Sequence, residues 1–147
     1  MPRLPRGRAT AEEETTMATR PRPLSPHLQV YRPMYTMVTS ITHRATGVGL
    51  SVGLALLAAW LLALASGPAA YARIRALYGS TPGYLLLAGL VLAFWYHFCN
   101  GLRHLNWDTG RGLEKASARR SAAVVLVATL GLSAATLVAV LHFGAQP

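Results

Sequence analysis

The sequence is short of charge, and shortest of acid. Of 147 residues only five are Asp or Glu, and Asp, Glu, Lys and Arg together make up 13%, about half the share usual in a soluble domain. A single cysteine, Cys99, excludes an intramolecular disulfide. It also excludes a thiolate-ligated iron–sulfur cluster or a four-cysteine zinc site within this chain. No P-loop, dinucleotide fingerprint or HExxH motif is present. The first 23 residues are rich in Arg and Pro but lack the apolar stretch of a signal peptide, and Glu12–Glu13–Glu14 fits a transit peptide poorly. Three segments, 45–66, 83–102 and 121–141, contain no Asp, Glu, Lys or Arg at all.

What is there is apolar. The chain is 52% hydrophobic with a formal net charge of +9. Such a charge can mark a nucleic-acid binder, but here the positive residues lie outside the three uncharged segments, so no nucleic-acid partner is expected. Each segment is about 20 residues long and, at ~1.5 Å per residue, crosses a hydrocarbon layer of about 30 Å. The fold class expected is an all-α membrane protein with three transmembrane helices, at about 33–65, 83–107 and 121–143, set in a lipid bilayer. The stretches 67–82 and 108–120 are expected to be loops. Residues 1–21 are expected to form a disordered tail, and residues 22–147 the membrane anchor. Residues 1–44 hold seven Lys/Arg, 67–82 two, 103–120 five, and the segment after the third helix none. Positive residues favour the inner side, which places the N-terminus and the second loop inside.

Polar residues cluster toward that inner end. In the second helix His97, Gly101 and His104 share one face, about 40° and 20° apart by helical rotation. His97 lies roughly 9 Å inside the apolar layer. An ionisable ring at that depth is costly and marks a functional site by default; the plain alternative is a neutral imidazole bonded to a neighbouring helix. Gly101 clears room one turn from His97, for a flat macrocycle or for close helix packing. In the first helix Ser40, His43, Arg44 and Gly47 fall at i, i+3, i+4 and i+7 on one stripe. Arg44 could serve simply as an interfacial anchor, but that reading leaves the hydroxyl and the imidazole unexplained. An imidazole inside the layer suits an axial ligand of haem iron. His104 lies about 10.5 Å along the axis, near the reach of haem propionates, with His43, Arg44 and Arg103 as further cations. No second deep histidine is present, so a six-coordinate haem would take its other ligand from another subunit.

Arg22-Pro23-Leu24-Ser25-Pro26-His27-Leu28, Tyr31-Arg32, the run Ser40-Ile41-Thr42-His43-Arg44-Ala45-Thr46-Gly47, and His97-xxx-Gly101-xx-His104 together resemble one family. It is the cytochrome b large membrane-anchor subunit of succinate dehydrogenase, respiratory complex II, of the succinate dehydrogenase/fumarate reductase transmembrane-subunit type. The resemblance spans roughly residues 20–143. It implies His97 as an axial ligand of haem b, shared with a small membrane-anchor subunit. It implies Ser40 and Arg44 at a ubiquinone pocket, and His43, Arg44 and His104 near the haem propionates. It further implies an iron–sulfur subunit and a flavoprotein subunit docked on the inner face, so that this chain takes part in succinate:quinone oxidoreduction without succinate activity of its own. The membrane expected is the bacterial inner (cytoplasmic) membrane rather than the mitochondrial inner membrane. The competing readings are a haem-free structural anchor, a quinol:fumarate reductase anchor and, from another class, a transporter subunit. A transporter would spread polar groups through the depth of the membrane, whereas these segments are polar toward one end.

Overall fold

The computed structural model describes residues 34–144; the Pro-rich block, His27 and the tail lie outside them. Four helices follow in order: α1 (Tyr35–Ala65), α2 (Pro68–Tyr78), α3 (Thr81–Asp108) and α4 (Lys115–Gly144). Among the described residues there is no strand. α1, α3 and α4 are long and apolar enough to cross a membrane. With no water inside a bilayer, every backbone N–H and C=O must be satisfied within its own segment, which leaves the helix as the economical solution for each uncharged run. Large apolar side chains such as Leu54, Leu62, Leu85, Val127 and Leu141 therefore remain exposed along the helices. That is the outside of a protein whose solvent is lipid.

The segment 67–82, expected as a loop, contains the helix α2. Gly67, at φ 101, ends α1 and turns the chain, and Pro68 stands in the first turn of α2, where its missing N–H costs nothing. Between those breakers, Ala69, Ala70, Ala72, Ala76 and Leu77 are strong helix formers. The Tyr78 hydroxyl donates to the Leu56 carbonyl oxygen at 2.7 Å, and Trp60 meets Tyr71 edge to face with centroids 6.4 Å apart. α2 thus folds back along the end of α1. α4 also begins earlier than the expected residue 121, because Lys115–Arg120 is free of Gly and Pro and extends the helix beyond its apolar run.

α3 starts from a tight corner. The Ser80 side chain accepts from the Gly83 N–H at 3.3 Å, with Pro82 in the first turn. Gly83 is buried against α2: a Cβ there would sit 2.5 Å from the carbonyl oxygens of both Leu77 and Tyr78. Gly83→Ala is expected to force this corner open at a cost of about 1–3 kcal/mol, read as a lower melting temperature of the assembled protein. An unchanged melting temperature would mean that the corner is loose.

α3 is the central element. It packs antiparallel against both α1 and α4, while α1 and α4 touch each other less. The α4 side of this packing is a stripe of small residues, Ala118, Ala122, Val125, Thr129 and Ser133, at helical spacing. On α1 only Thr39 is fully buried; one face of the helix lies against α3 and α2, and the opposite face is exposed, open to lipid or another chain.

Candidate functional site

Three groups of side chains gather at the end of the bundle where α1 starts, α3 ends and α4 starts. The first is a row of imidazoles from α1 and α3. The rings of His43 and His97 are stacked, with centroids 4.0 Å apart and planes 11° from parallel. His104 follows, 5.1 Å from His43 and tilted by 47°, and its own ring meets Trp107 edge to face at 5.2 Å.

The hydrogen bonds fix the chemistry of His97. Its Nδ1 lies 3.0 Å from the His43 carbonyl oxygen. A carbonyl only accepts, so Nδ1 must carry the proton. The Thr46 hydroxyl donates its own proton to the same carbonyl at 2.8 Å, so its contact with Nδ1 at 3.3 Å is as a second acceptor. The neutral ring is therefore the Nδ1–H tautomer, with a bare lone pair on Nε2. Nε2 has no hydrogen-bond partner among the described residues, and the residue is half-buried. This is the arrangement of a metal-binding histidine oriented by a backbone carbonyl behind it. It fits an axial ligand for haem iron.

Of the two uses read for Gly101, close helix packing is the one the chain itself shows: a Cβ there would lie 3.6 Å from the His43 Nε2. Gly47 is the glycine beneath the His97 ring: a Cβ there would meet Cε1 at 3.0 Å. The His43 Nε2 is buried without a hydrogen-bond partner among the described residues. Buried polar atoms are usually satisfied, so this nitrogen stands out among the described residues.

The second group is centred on Arg103. The sequence set it among the cations facing outward acid groups, but the structure turns it inward, where it is 5% exposed. Nε donates to Ser121 Oγ at 3.0 Å, Nη1 to Thr39 Oγ1 at 3.0 Å and Asn100 Oδ1 at 3.2 Å, and Nη2 to the Ala118 carbonyl at 2.9 Å. The guanidinium carbon also stands 4.0 Å above the Trp107 ring centroid, a favourable cation–π distance. A buried cation needs its donors filled, and here hydroxyls and carbonyls of α1, α3 and α4 fill them. Tyr96 and Asn100 add to this group: the Tyr96 hydroxyl and the Asn100 amide both donate to the Thr39 carbonyl, at 3.0 and 3.3 Å.

The third is a cavity of about 360 Å³ lined by Thr36, Met37, Ser40, Trp107, Leu113 and Ala118. Ser40 is thus at a cavity, and its hydroxyl has no partner among the described residues. Arg44 is exposed one turn along the same stripe and does not line it. Trp107 is a wall of the cavity; its Nε1 donates to the Gly112 carbonyl at 3.1 Å and so pins the α3–α4 turn. The spacing Arg103–Trp107, one helical turn, is the signal that could have found it. The arrangement as a whole brings together three imidazoles and a hydroxyl-bearing cavity, all at one end of a membrane bundle.

Comparison with known proteins adds the following. The sequence profile of the family described as succinate dehydrogenase/fumarate reductase transmembrane subunit matches residues 18–136. The succinate dehydrogenase cytochrome b556 subunit of Paracoccus denitrificans is 42% identical over 117 residues, 80% of this chain and 90% of that protein. The mitochondrial succinate dehydrogenase cytochrome b560 subunit of Sus scrofa is 40% identical over 111 residues, 74% of this chain and 66% of that protein. The cytochrome b556 subunit of Rickettsia bellii is 39% identical over 93 residues, 63% of this chain and 72% of that protein.

Proposed function

Since the chain belongs to the succinate dehydrogenase/fumarate reductase transmembrane-subunit family, we propose that it is the haem b- and ubiquinone-binding anchor of a succinate:quinone oxidoreductase. The observation that carries this reading is the His97 imidazole, set in the bundle with its Nδ1 3.0 Å from the His43 carbonyl oxygen and no hydrogen-bond partner at Nε2 among the described residues. His97 would hold the iron. His43, Arg44 and His104 would meet the propionates, the buried His43 Nε2 being an orphan that an acid group would satisfy. Bound there, haem supplies one-electron redox chemistry.

The chain's own residues orient the ligand ring, exclude water from it, and present a hydroxyl to the quinone. A quinone gains negative charge on its carbonyl oxygens as it is reduced, and donors aimed at that charge lower the barrier. Ser40 lines a cavity of suitable scale, its hydroxyl without a partner among the described residues, and Arg44 brings a guanidinium from the same stripe. The exposed face of α1, opposite the one packed on α3, suits a small anchor subunit that would bring the second iron ligand. An iron–sulfur subunit and a flavoprotein subunit would dock at the end carrying Ser40, which by its positive flanks is the inner side. Succinate oxidation then belongs to the flavoprotein, and this chain alone has no succinate activity. Bacterial and mitochondrial relatives both match; the bacterial cytoplasmic membrane accords with an N-terminal segment whose Glu12–Glu13–Glu14 fits a transit peptide poorly.

The test uses the assembled complex. Its dithionite-reduced minus oxidised spectrum is expected to show a b-type band, and its absence would overturn the haem assignment. Ser40→Ala is expected to lower quinone reduction about tenfold, the scale of one hydrogen bond to developing charge, while succinate oxidation with an artificial acceptor is unchanged. Equal loss of both activities would place Ser40 in assembly and not at the quinone.

A further inference from the structure

We propose that Gly47, on α1, is a positioning residue for the His97 ligand on α3, setting the ring's distance from the carbonyl that fixes its tautomer. The inference rests on the haem reading above and deepens it. His97 is confined on two sides by α1. Its face lies on the His43 ring at 4.0 Å, and its Cε1 edge lies over Gly47, where a Cβ would approach to 3.0 Å. The same approach would bring that Cβ to 3.5 Å from Nδ1 and 4.0 Å from Nε2. The His97 Nδ1–H points into the pair of acceptors formed by the His43 carbonyl and the Thr46 hydroxyl. A methyl group on residue 47 would therefore push the ring away from both acceptors.

Other α1 and α3 glycines make the assignment specific. Gly49 has nothing within 4 Å of an added Cβ, and Gly101 faces only His43 at 3.6 Å, an ordinary contact. Gly53 meets the flexible end of Leu90. Gly47 alone among these four would collide with the ligand ring. The electronic consequence has a sign. A hydrogen bond from Nδ1–H raises the basicity of the imidazole and so favours the oxidised, more positive iron. Lengthening that bond raises the haem reduction potential.

Gly47→Ala in the assembled complex is thus expected to raise the haem midpoint potential and to shift the low-spin electron paramagnetic resonance of the oxidised haem, with Gly49→Ala matching the wild type. Wild-type potential and resonance in Gly47→Ala would overturn the proposal. A second measurement holds even if Gly47→Ala assembles poorly. In a His97→Ala background the collision is gone, so adding Gly47→Ala should cost no further melting temperature, against a clear loss in the His97 background. Equal losses in both backgrounds would overturn the proposal as well. A wild-type complex without a b-type band would instead sink the haem reading, while this double-mutant comparison still reports the contact.

Discussion

A complex carrying His97→Ala is expected to lose its b-type absorption band completely while remaining assembled. The two halves of that expectation have separate causes. The band goes because no other described imidazole stands where the His97 ring does. His43 is stacked behind the ring with its Nε2 buried, and His104 lies beyond His43. Assembly persists because the substitution removes one hydrogen bond to a backbone carbonyl that also receives the Thr46 hydroxyl. A bond of that kind contributes about 1 kcal/mol, small beside the backbone hydrogen bonding within the three spans. Reduced-minus-oxidised spectra and native electrophoresis of the same sample read the two halves. A wild-type band in the variant would remove His97 from the ligand role.

Arg103→Leu is expected to do the opposite, leaving the ligand untouched but undoing the bundle. Arg103 makes four hydrogen bonds to Thr39, Asn100, Ser121 and Ala118, and a bond from a charged donor contributes about 1.5–3 kcal/mol. The desolvation of the guanidinium takes back part of that sum. Leucine would still leave a buried hydroxyl, amide and carbonyl facing a side chain that cannot donate, for a net loss of about 3 kcal/mol or more. The melting temperature and the yield of assembled complex should both fall. Arg103→Lys keeps the charge, yet one ammonium cannot span acceptors on α1, α3 and α4 or stack on Trp107 as a planar fork does. An intermediate yield is therefore expected. Full stability of the lysine variant would show that charge, and not geometry, is what the position needs.

These two residues also show where the sequence was informative. The spans were legible because the cost of charge in lipid is large enough to empty 45–66, 83–102 and 121–141 of ionic residues. Helical spacing placed His43 on the Ser40 stripe and His97 on the His104 face, though not the stacking of one ring on the other. That contact depends on the antiparallel register of α1 against α3, which buried side chains set. Arg103 adjoins His104 in sequence, but in space it is buried among acceptors of α1, α3 and α4, a destination that the sequence does not mark, while His104 stays half-buried beside His43. α2 was hidden by the Gly and Pro at its ends, which punctuate a helix as readily as they make a loop. The start of α4 was misplaced because an edge drawn by hydropathy follows the lipid boundary, not the last residue able to stay helical.

The attachment of α1 to α3 through Thr39 has a mechanical consequence. Tyr96, Asn100 and Arg103 stand at successive turns of α3 and all converge on that one residue. A screw-like slip of α1 by a single residue would break all three bonds together, so the pair behaves as a strut and not as a hinge. The Ser40 hydroxyl and the floor beneath His97 are both built on the same strut, seven residues apart. Accommodation of an occupant at either place must then come from turning side chains or from a neighbouring subunit, never from sliding these two helices.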